Sequence, residues 1–400
     1  MRLSGGLFTL SCTWVVEMKC PRCGNQDPRY FAQMHGRIYC RKCIQFNRVF
    51  IDEQQREDVH ISGMQASYSL KFTLSKRQQE ISDALVANYE RKVNTLVMAV
   101  CGSGKTEMTY QVICHVINSG QRVCFALPRK ALVEELYERM LKAIHGITIG
   151  CLYGGKKINE EAPLIICTAH QLYRYVDKPF GLLLMDEADA FPFYGDEVLN
   201  AIFDRCYCRC FIKMSATLIS SDIHDEDVLV MNRRYHQHDL PLPVIKRCPK
   251  QCDWLLMKQI VQRFIHQGKV VLIYVPRIED LPYYQHKLKH VRSATVSSST
   301  PHINQYIDQL RNHQLDVIIT TTILERGITV DDVQVIVMKA SHPIFDERTL
   351  MQIEGRVGRS MEHYQGEVIF IAETISQEMK KCISTIHYLN NLSVSSVTNQ

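Results

Sequence analysis

The stretch TLVMAVCGSGKT, residues 95–106, decides how this chain folds. Its first five residues are apolar and β-leaning, long enough for a buried parallel strand, and residues 100–106 follow as a glycine-bearing loop ending in Gly-Lys-Thr. Gly102 and Gly104, on either side of Ser103, admit backbone conformations closed to other residues, so successive amides can turn inward around an anion. Lys105 brings a mobile positive charge for β and γ phosphates, and the Thr106 hydroxyl suits a Mg²⁺ ligand. Ala99 stands where the full motif has its first glycine, and it is small enough to be tolerated. Apolar positions from 108 to 117 then predict a helix.

Working outward, residues 74–78 (LSKRQ) open a helical pattern, and Gln78 at its start could read an adenine edge, although a lone glutamine at a helix start is more often simply exposed. Beyond the loop the chain alternates: strand at 123–127, amphipathic helix at 131–144, strands at 164–167 and 182–185. Such alternation predicts an α/β fold with a parallel sheet and crossover helices. Ligands bind at the carboxyl edge of such sheets, where the sequence puts Arg129, Gly155, Thr168 and Gln171. A stronger signal is GLLLMDEAD, residues 181–189, an apolar strand that delivers two adjacent carboxylates to its carboxyl end. Asp186 there can hold Mg²⁺ through water, and Glu187 can polarise an attacking water.

KMSAT, residues 213–217, follows another apolar strand, and Cys206, Cys208 and Cys210 before it read as buried strand thiols. Residues 239–252, with Pro241, Pro243 and Pro249, read as an interdomain linker. A helix at 254–266 and strands at 270–275, 317–320 and 333–338 build a second sheet. TTTILERG, residues 320–327, places Thr321 and Arg326 at a strand end, suited to a phosphodiester backbone. QIEGRVGR, residues 352–359, carries Gln352 and two arginines, Arg356 and Arg359, spaced to share one helix face. Planar, permanently charged guanidinium groups suit a phosphoryl group that gains charge as it departs.

Two C-x₂-C knuckles, Cys20/Cys23 and Cys40/Cys43, are separated by sixteen residues, the spacing of four thiolates converging on one tetrahedral Zn²⁺. Four sulfur ligands leave no open position, so the metal is structural. Residues 19–50 hold seven Lys and Arg against Asp27 alone, interleaved with Tyr30, Phe31, Tyr39 and Phe46. Cations beside aromatic faces suit sequence-tolerant binding of single strands; a solvated ribbon with a small aromatic core, or a partner surface, would use the same residues. A net charge of +5 and 46% hydrophobic content are ordinary for a soluble globular protein, and no apolar run approaches bilayer length. Sixteen cysteines spread through so long a chain point to a reducing cytoplasm rather than a disulfide framework. Residues 1–17 faintly resemble a signal peptide and read as a non-cleaved leader or a start-site extension ahead of Met18. The expected domains are 1–60, 61–240 and 241–385, with residues 386–400 as a tail, and residues 51–70 as a linker.

AVCGSGKT, DEAD, SAT, TTTILERGIT and QIEGRVGR, in this order, resemble superfamily 2 helicases and translocases over residues 74–371. With the leading four-cysteine ribbon and DEADAFP, the chain resembles the ComFA family of late competence proteins of Gram-positive bacteria. That resemblance implies two RecA-like domains with ATP and Mg²⁺ between them, single-stranded DNA across their tops, and a Zn²⁺ ribbon in front. It implies Lys105, Thr106, Asp186 and Glu187 as the nucleotide and metal residues, Gln352, Arg356 and Arg359 as γ-phosphate sensors, and Cys20, Cys23, Cys40 and Cys43 as zinc ligands. It further implies a cytoplasmic ATPase at the inner membrane face, working with other competence proteins, including a membrane DNA-uptake channel, and open to self-assembly. Gln352-Ile353 and Thr329 depart from DEAD-box RNA helicases, which carry His-Arg and Asp there. A replication-restart helicase and a non-catalytic DNA-binding adaptor are the rival readings; the first carries its cysteines late in the chain.

Overall fold

The computed structural model describes residues 18–52, 57, 59–216, 226–324 and 330–392. The first sheet has eight strands in the order Asp227–Met231, Thr95–Ala99, Tyr207–Ser215, Phe180–Met185, Val123–Leu127, Leu164–Thr168, Ile149–Tyr153, Lys156–Ile158. All neighbours are parallel except the last pair, a hairpin. Its central strands are apolar throughout because helices cover both faces, and successive side chains therefore enter different cores. Val97, Phe125, Leu182 and Leu184 pack with Ile81 and Leu85 of the helix Lys76–Arg91. Their neighbours Leu96, Cys124, Leu183 and Met185 pack on the other side with Phe203 and Leu199. Each fully buried Leu or Phe contributes about 1.5–3 kcal/mol.

The second sheet is parallel throughout, with six strands in the order Val244–Arg247, Val368–Ala372, Val333–Met338, Val270–Tyr274, Val317–Thr320, Ser293–Val296. The same alternation divides Leu272, Val335 and Phe370 from Ile273, Ile336 and Ile371. The ribbon is a hairpin, Phe31–Met34 with Arg37–Cys40, set between its two knuckles.

Several expectations change. Residues 51–70 are no free linker: Ile61 donates to Gly120 O at 3.0 Å, and Ser67–Tyr68 pairs antiparallel with Ile144–His145. Gly146 is glycine because a Cβ there would meet Gln65 O at 2.2 Å. The proposed linker at 239–252 contains the edge strand Val244–Arg247, so the true crossing lies between Met231 and Val244. The tail begins later than 386, since the helix Gln377–Asn391 continues through that point with Ile386 and Leu389 fully buried. Cys208 is exposed whereas Cys206 and Cys210 are buried, because strand alternation turns it to solvent. The leader reading of residues 1–17 lies outside the described residues.

Candidate functional site

The strand Thr95–Ala99 ends with Ala99 fully buried in the core, so the methyl group belongs to the sheet and the loop proper starts at Val100. Gly102 and Gly104 take φ of +79° and +76°, the left-handed region expected of them. The Ser103 hydroxyl is buried with no hydrogen-bond partner among the described residues, an orphan donor in a loop shaped for an anion. The helix predicted from 108 starts earlier and is broken, as Lys105–Met108 and Tyr110–Asn118, with the Thr109 hydroxyl donating to Thr106 O at 2.7 Å. Gln78 is not displayed to a base. Its Oε1 accepts from Ser75 N at 2.8 Å in a capping box and its Nε2 donates to Ser103 O at 2.8 Å, so it struts the loop against its helix.

The strand Phe180–Met185 delivers Asp186 and Glu187 beside this loop. Asp186 Oδ1 accepts from Glu187 N at 2.8 Å, and Glu187 is held at φ +51°, a conformation rare for a long side chain. Burial pushes the Asp186 carboxyl up, and Lys105 pulls it back toward the charged form. The Thr106 hydroxyl and the Asp186 carboxylate are the residues that would hold a divalent cation here, which would supply positive charge to phosphate oxygens.

The other half comes from the second sheet. The helix Glu347–Glu354 presents Gln352, whose Oε1 accepts from Cys101 Sγ at 3.3 Å. Arg356 and Arg359 do not share a helix face, because the helix ends at Glu354 and the chain turns through Gly358 at φ +68°. Burial, followed by the neighbouring Arg359 charge, brings the Arg356 guanidinium down to about 10, and burial lowers Arg359 as well. Gly355 fits only as glycine: a Cβ would stand 2.8 Å from Cys101 Cβ. Gly355→Ala is therefore expected to lower ATP turnover about 10- to 100-fold by forcing the two halves apart. Gly154→Ala, in open space, should match the unmodified protein in the same assay.

Of the expected nucleic-acid residues, Arg129, Thr168 and Gln171 lie at one edge, since Leu127 and Thr168 are register partners and Met185 pairs with Ala126. Gly155 turns the adjoining hairpin at the same end, in open space at φ +91°. Gln171 Oε1 accepts from Arg174 Nε at 2.8 Å, which commits part of its amide locally. Thr321 stands at the carboxyl end of the second sheet, after Thr320. Arg326, like Thr217, lies outside the described residues.

In the ribbon the four sulfurs all lie within 4.8 Å of one another, with Cys20–Cys43 at 3.7 Å and Cys23–Cys40 at 3.8 Å. A tetrahedron with Zn–S bonds of about 2.3 Å has S–S edges of ~3.8 Å, so the set fits the ion. Crowding pulls the Cys20 thiol down, through hydrogen bonds from Cys23 and Cys43, and pushes the Cys43 thiol up. The ribbon is fixed to the first sheet: Arg205 Nη1 donates to Pro21 O at 2.6 Å, and Phe46 packs on Tyr173 with ring centroids 5.6 Å apart. Elsewhere in the ribbon Arg37, ion-paired with Asp52 at 2.9 Å, lies over Phe50 and Arg48 over Tyr39, at 4.1 and 5.7 Å.

Residues 71–220 match the family described as Type III restriction enzyme, res subunit, and residues 255–361 match the Helicase conserved C-terminal domain. Over most of its length the chain is 33% identical to competence protein ComFA of Bacillus subtilis, covering 94% of this chain and 86% of that protein. With ComFA of Streptococcus pneumoniae the identity is 30%, over 93% and 90% of the two chains. The chain belongs to the ComFA family. Its two sheets are superfamily 2 helicase domains of RecA type, and domains of this kind imply ATP hydrolysis. The same fold occurs in yeast (S. cerevisiae) Dbp5 bound to RNA and ADP BeF3, at TM-score 0.56 and 16% identity over 80% of this chain and 92% of that one. It occurs also in RecG bound to a three-way DNA junction, at TM-score 0.57 and 18% identity over 80% of this chain and 47% of that one.

Sequence reasoning on this ComFA-family chain missed Cys101 and Arg234. Cys101 falls inside a motif and looks like a spacer. Arg234 follows the edge strand Asp227–Met231 in the doublet Arg233-Arg234, a signal no pattern distinguishes from surface charge.

Proposed function

We propose that this chain is an ATP-driven translocase on single-stranded DNA, acting in DNA uptake during transformation. The observation that carries this reading is the direct meeting of the phosphate loop with the arginine-bearing turn, through Cys101, Gln352 and Gly355. In the proposed cycle, inward amides and Lys105 hold the β and γ phosphates, Thr106 and Asp186 hold Mg²⁺, and Glu187 takes a proton from the attacking water. Arg356 and Arg359 face charge that grows on the departing phosphoryl group, so closure of the domains and hydrolysis depend on each other. Single-stranded DNA would cross the carboxyl edges at Arg129, Thr168 and Thr321, and the zinc ribbon, rigidly docked beside Tyr173, would lengthen that track with Arg37, Arg48 and Tyr39. The competence setting is supported by the ComFA relatives, whose names say as much of those proteins. Among the described residues no helix is long and apolar enough to cross a membrane, so a place at the membrane would come through partner proteins.

The test measures ATP turnover alone and with single-stranded DNA, duplex DNA and RNA. The strongest stimulation is expected from single-stranded DNA. Equal stimulation by RNA, or none by any nucleic acid, would sink the translocase reading.

A further inference from the structure

We infer that Arg234 is a positioning residue of the nucleotide site, holding the turn that carries Arg356 and Arg359 against the phosphate loop. The inference rests on the ATPase reading above.

The chain leaves the first sheet beside the loop, because Val100 N donates to Met231 O at 3.1 Å. Three residues later Arg234 is fully buried, and its Cδ lies 4.0 Å from where a Cβ on Gly102 would stand. Its Nη1 donates to the carbonyl oxygens of Val357 and Gly358, both in the turn between the two arginines. Its Nη2 stands 3.7 Å from Glu354 Oε1, at the end of the helix that carries Gln352. His236 Nε2 donates to the same Gly358 carbonyl at 3.0 Å, while its Nδ1 accepts from His238 N at 3.2 Å. One side chain thus stands beside the phosphate loop of one domain and is hydrogen-bonded to the arginine turn of the other.

That turn needs such a clamp. It lies beyond the last helical turn, so its carbonyls have no helical partners, and buried carbonyls must be satisfied from elsewhere. Gly358 leaves room for the guanidinium: a Cβ there would stand 3.1 Å from Arg234 Nη1. A buried ion pair is a poor source of stability, because desolvation offsets the attraction. Here it joins two groups whose separation governs chemistry, and it sets where Arg356 and Arg359 stand when the domains close. Nη1 serves both carbonyls while Nη2 faces the Glu354 carboxyl at 3.7 Å, a group that burial pushes up to about 7, and the shorter lysine ammonium does not reach this arrangement from the same backbone.

The experiment makes Arg234→Lys and Arg234→Met, each alone and in an Arg359→Lys background, and measures ATP kcat, KM and melting temperature. Arg234→Lys is expected to keep its fold and its KM within about twofold while kcat falls about tenfold, with a larger fall for Arg234→Met. In the Arg359→Lys background the same Arg234→Lys change should cost less than about twofold, because the group it positions is already impaired. An Arg234→Lys protein with unaltered kcat, or an equal loss in both backgrounds, would overturn the proposal. If Arg234→Met does not fold, the lysine cycle decides alone. An unmodified chain that turns over no ATP would instead remove the ATPase reading, and this role with it.

Discussion

Glu187→Gln is expected to lower ATP turnover by about 10²–10⁴-fold while nucleotide binding persists, the range for loss of a positioned general base. Three features of the site lead to this figure. Glu187 follows the buried Asp186 at the carboxyl end of an interior strand, and its left-handed backbone turns it away from the strand direction. That conformation is costly for a glutamate and persists only where the surroundings impose it. Glutamine keeps the size and the hydrogen-bonding shape but cannot take the proton. Turnover and binding of a fluorescent ATP analogue, measured side by side, check the expectation: lost turnover with intact binding supports it. Turnover within about threefold of the unmodified chain would assign the base elsewhere. Lys105→Ala should differ from Glu187→Gln by weakening binding as well, since Lys105 holds phosphate charge before any chemistry begins.

The second large effect concerns zinc. Purified under reducing conditions, the chain is expected to hold about one Zn²⁺, and Cys43→Ser or a strong chelator should unfold the ribbon selectively. The ribbon buries little of its own, the four sulfurs with Phe46 and Val49, and these join the core on one face of the first sheet. A two-stranded hairpin of this size is marginal in water without a further constraint. Structural zinc supplies about 10–16 kcal/mol to such peptides, so its loss exceeds anything the docking contacts can replace. The expected signature is rapid proteolysis within residues 18–52, with the second sheet and the opposite face of the first, whose cores do not include the ribbon, left intact. Metal analysis finding no zinc, or a ribbon still protected after chelation, would be incompatible with this account.

Much of the candidate site is legible in the sequence. Gly102, Gly104, Lys105 and Thr106 were readable because a phosphate loop is local: the strand, glycines, lysine and hydroxyl lie within a dozen residues and their roles follow from residue type. The four cysteines were readable for a similar reason, since sixteen intervening residues suffice for one hairpin. Gln78 is legible as a residue of the site but not in its role, because from sequence its amide either reads a base or stands exposed, and burial with bonds to Ser75 and Ser103 makes it a strut. The arginine spacing misled, since three residues imply one helix face only if the helix continues, and this one stops at Glu354.

What the sequence by itself determined was the central strands of each sheet, the alternation that covers both faces of each sheet, the phosphate loop, the paired acids and the sulfur tetrahedron. All of these are encoded by period or by short spacing. The tertiary structure alone decided which residues complete the site across the domains. Cys101 meets Gln352 and Gly355 across some 250 positions, and Arg234 meets Val357 and Gly358 across more than 120. No periodicity links residues so far apart; they meet because the fold brings the phosphate loop of one sheet against the arginine turn of the other, where burial favours pairing of carbonyls such as those of Val357 and Gly358.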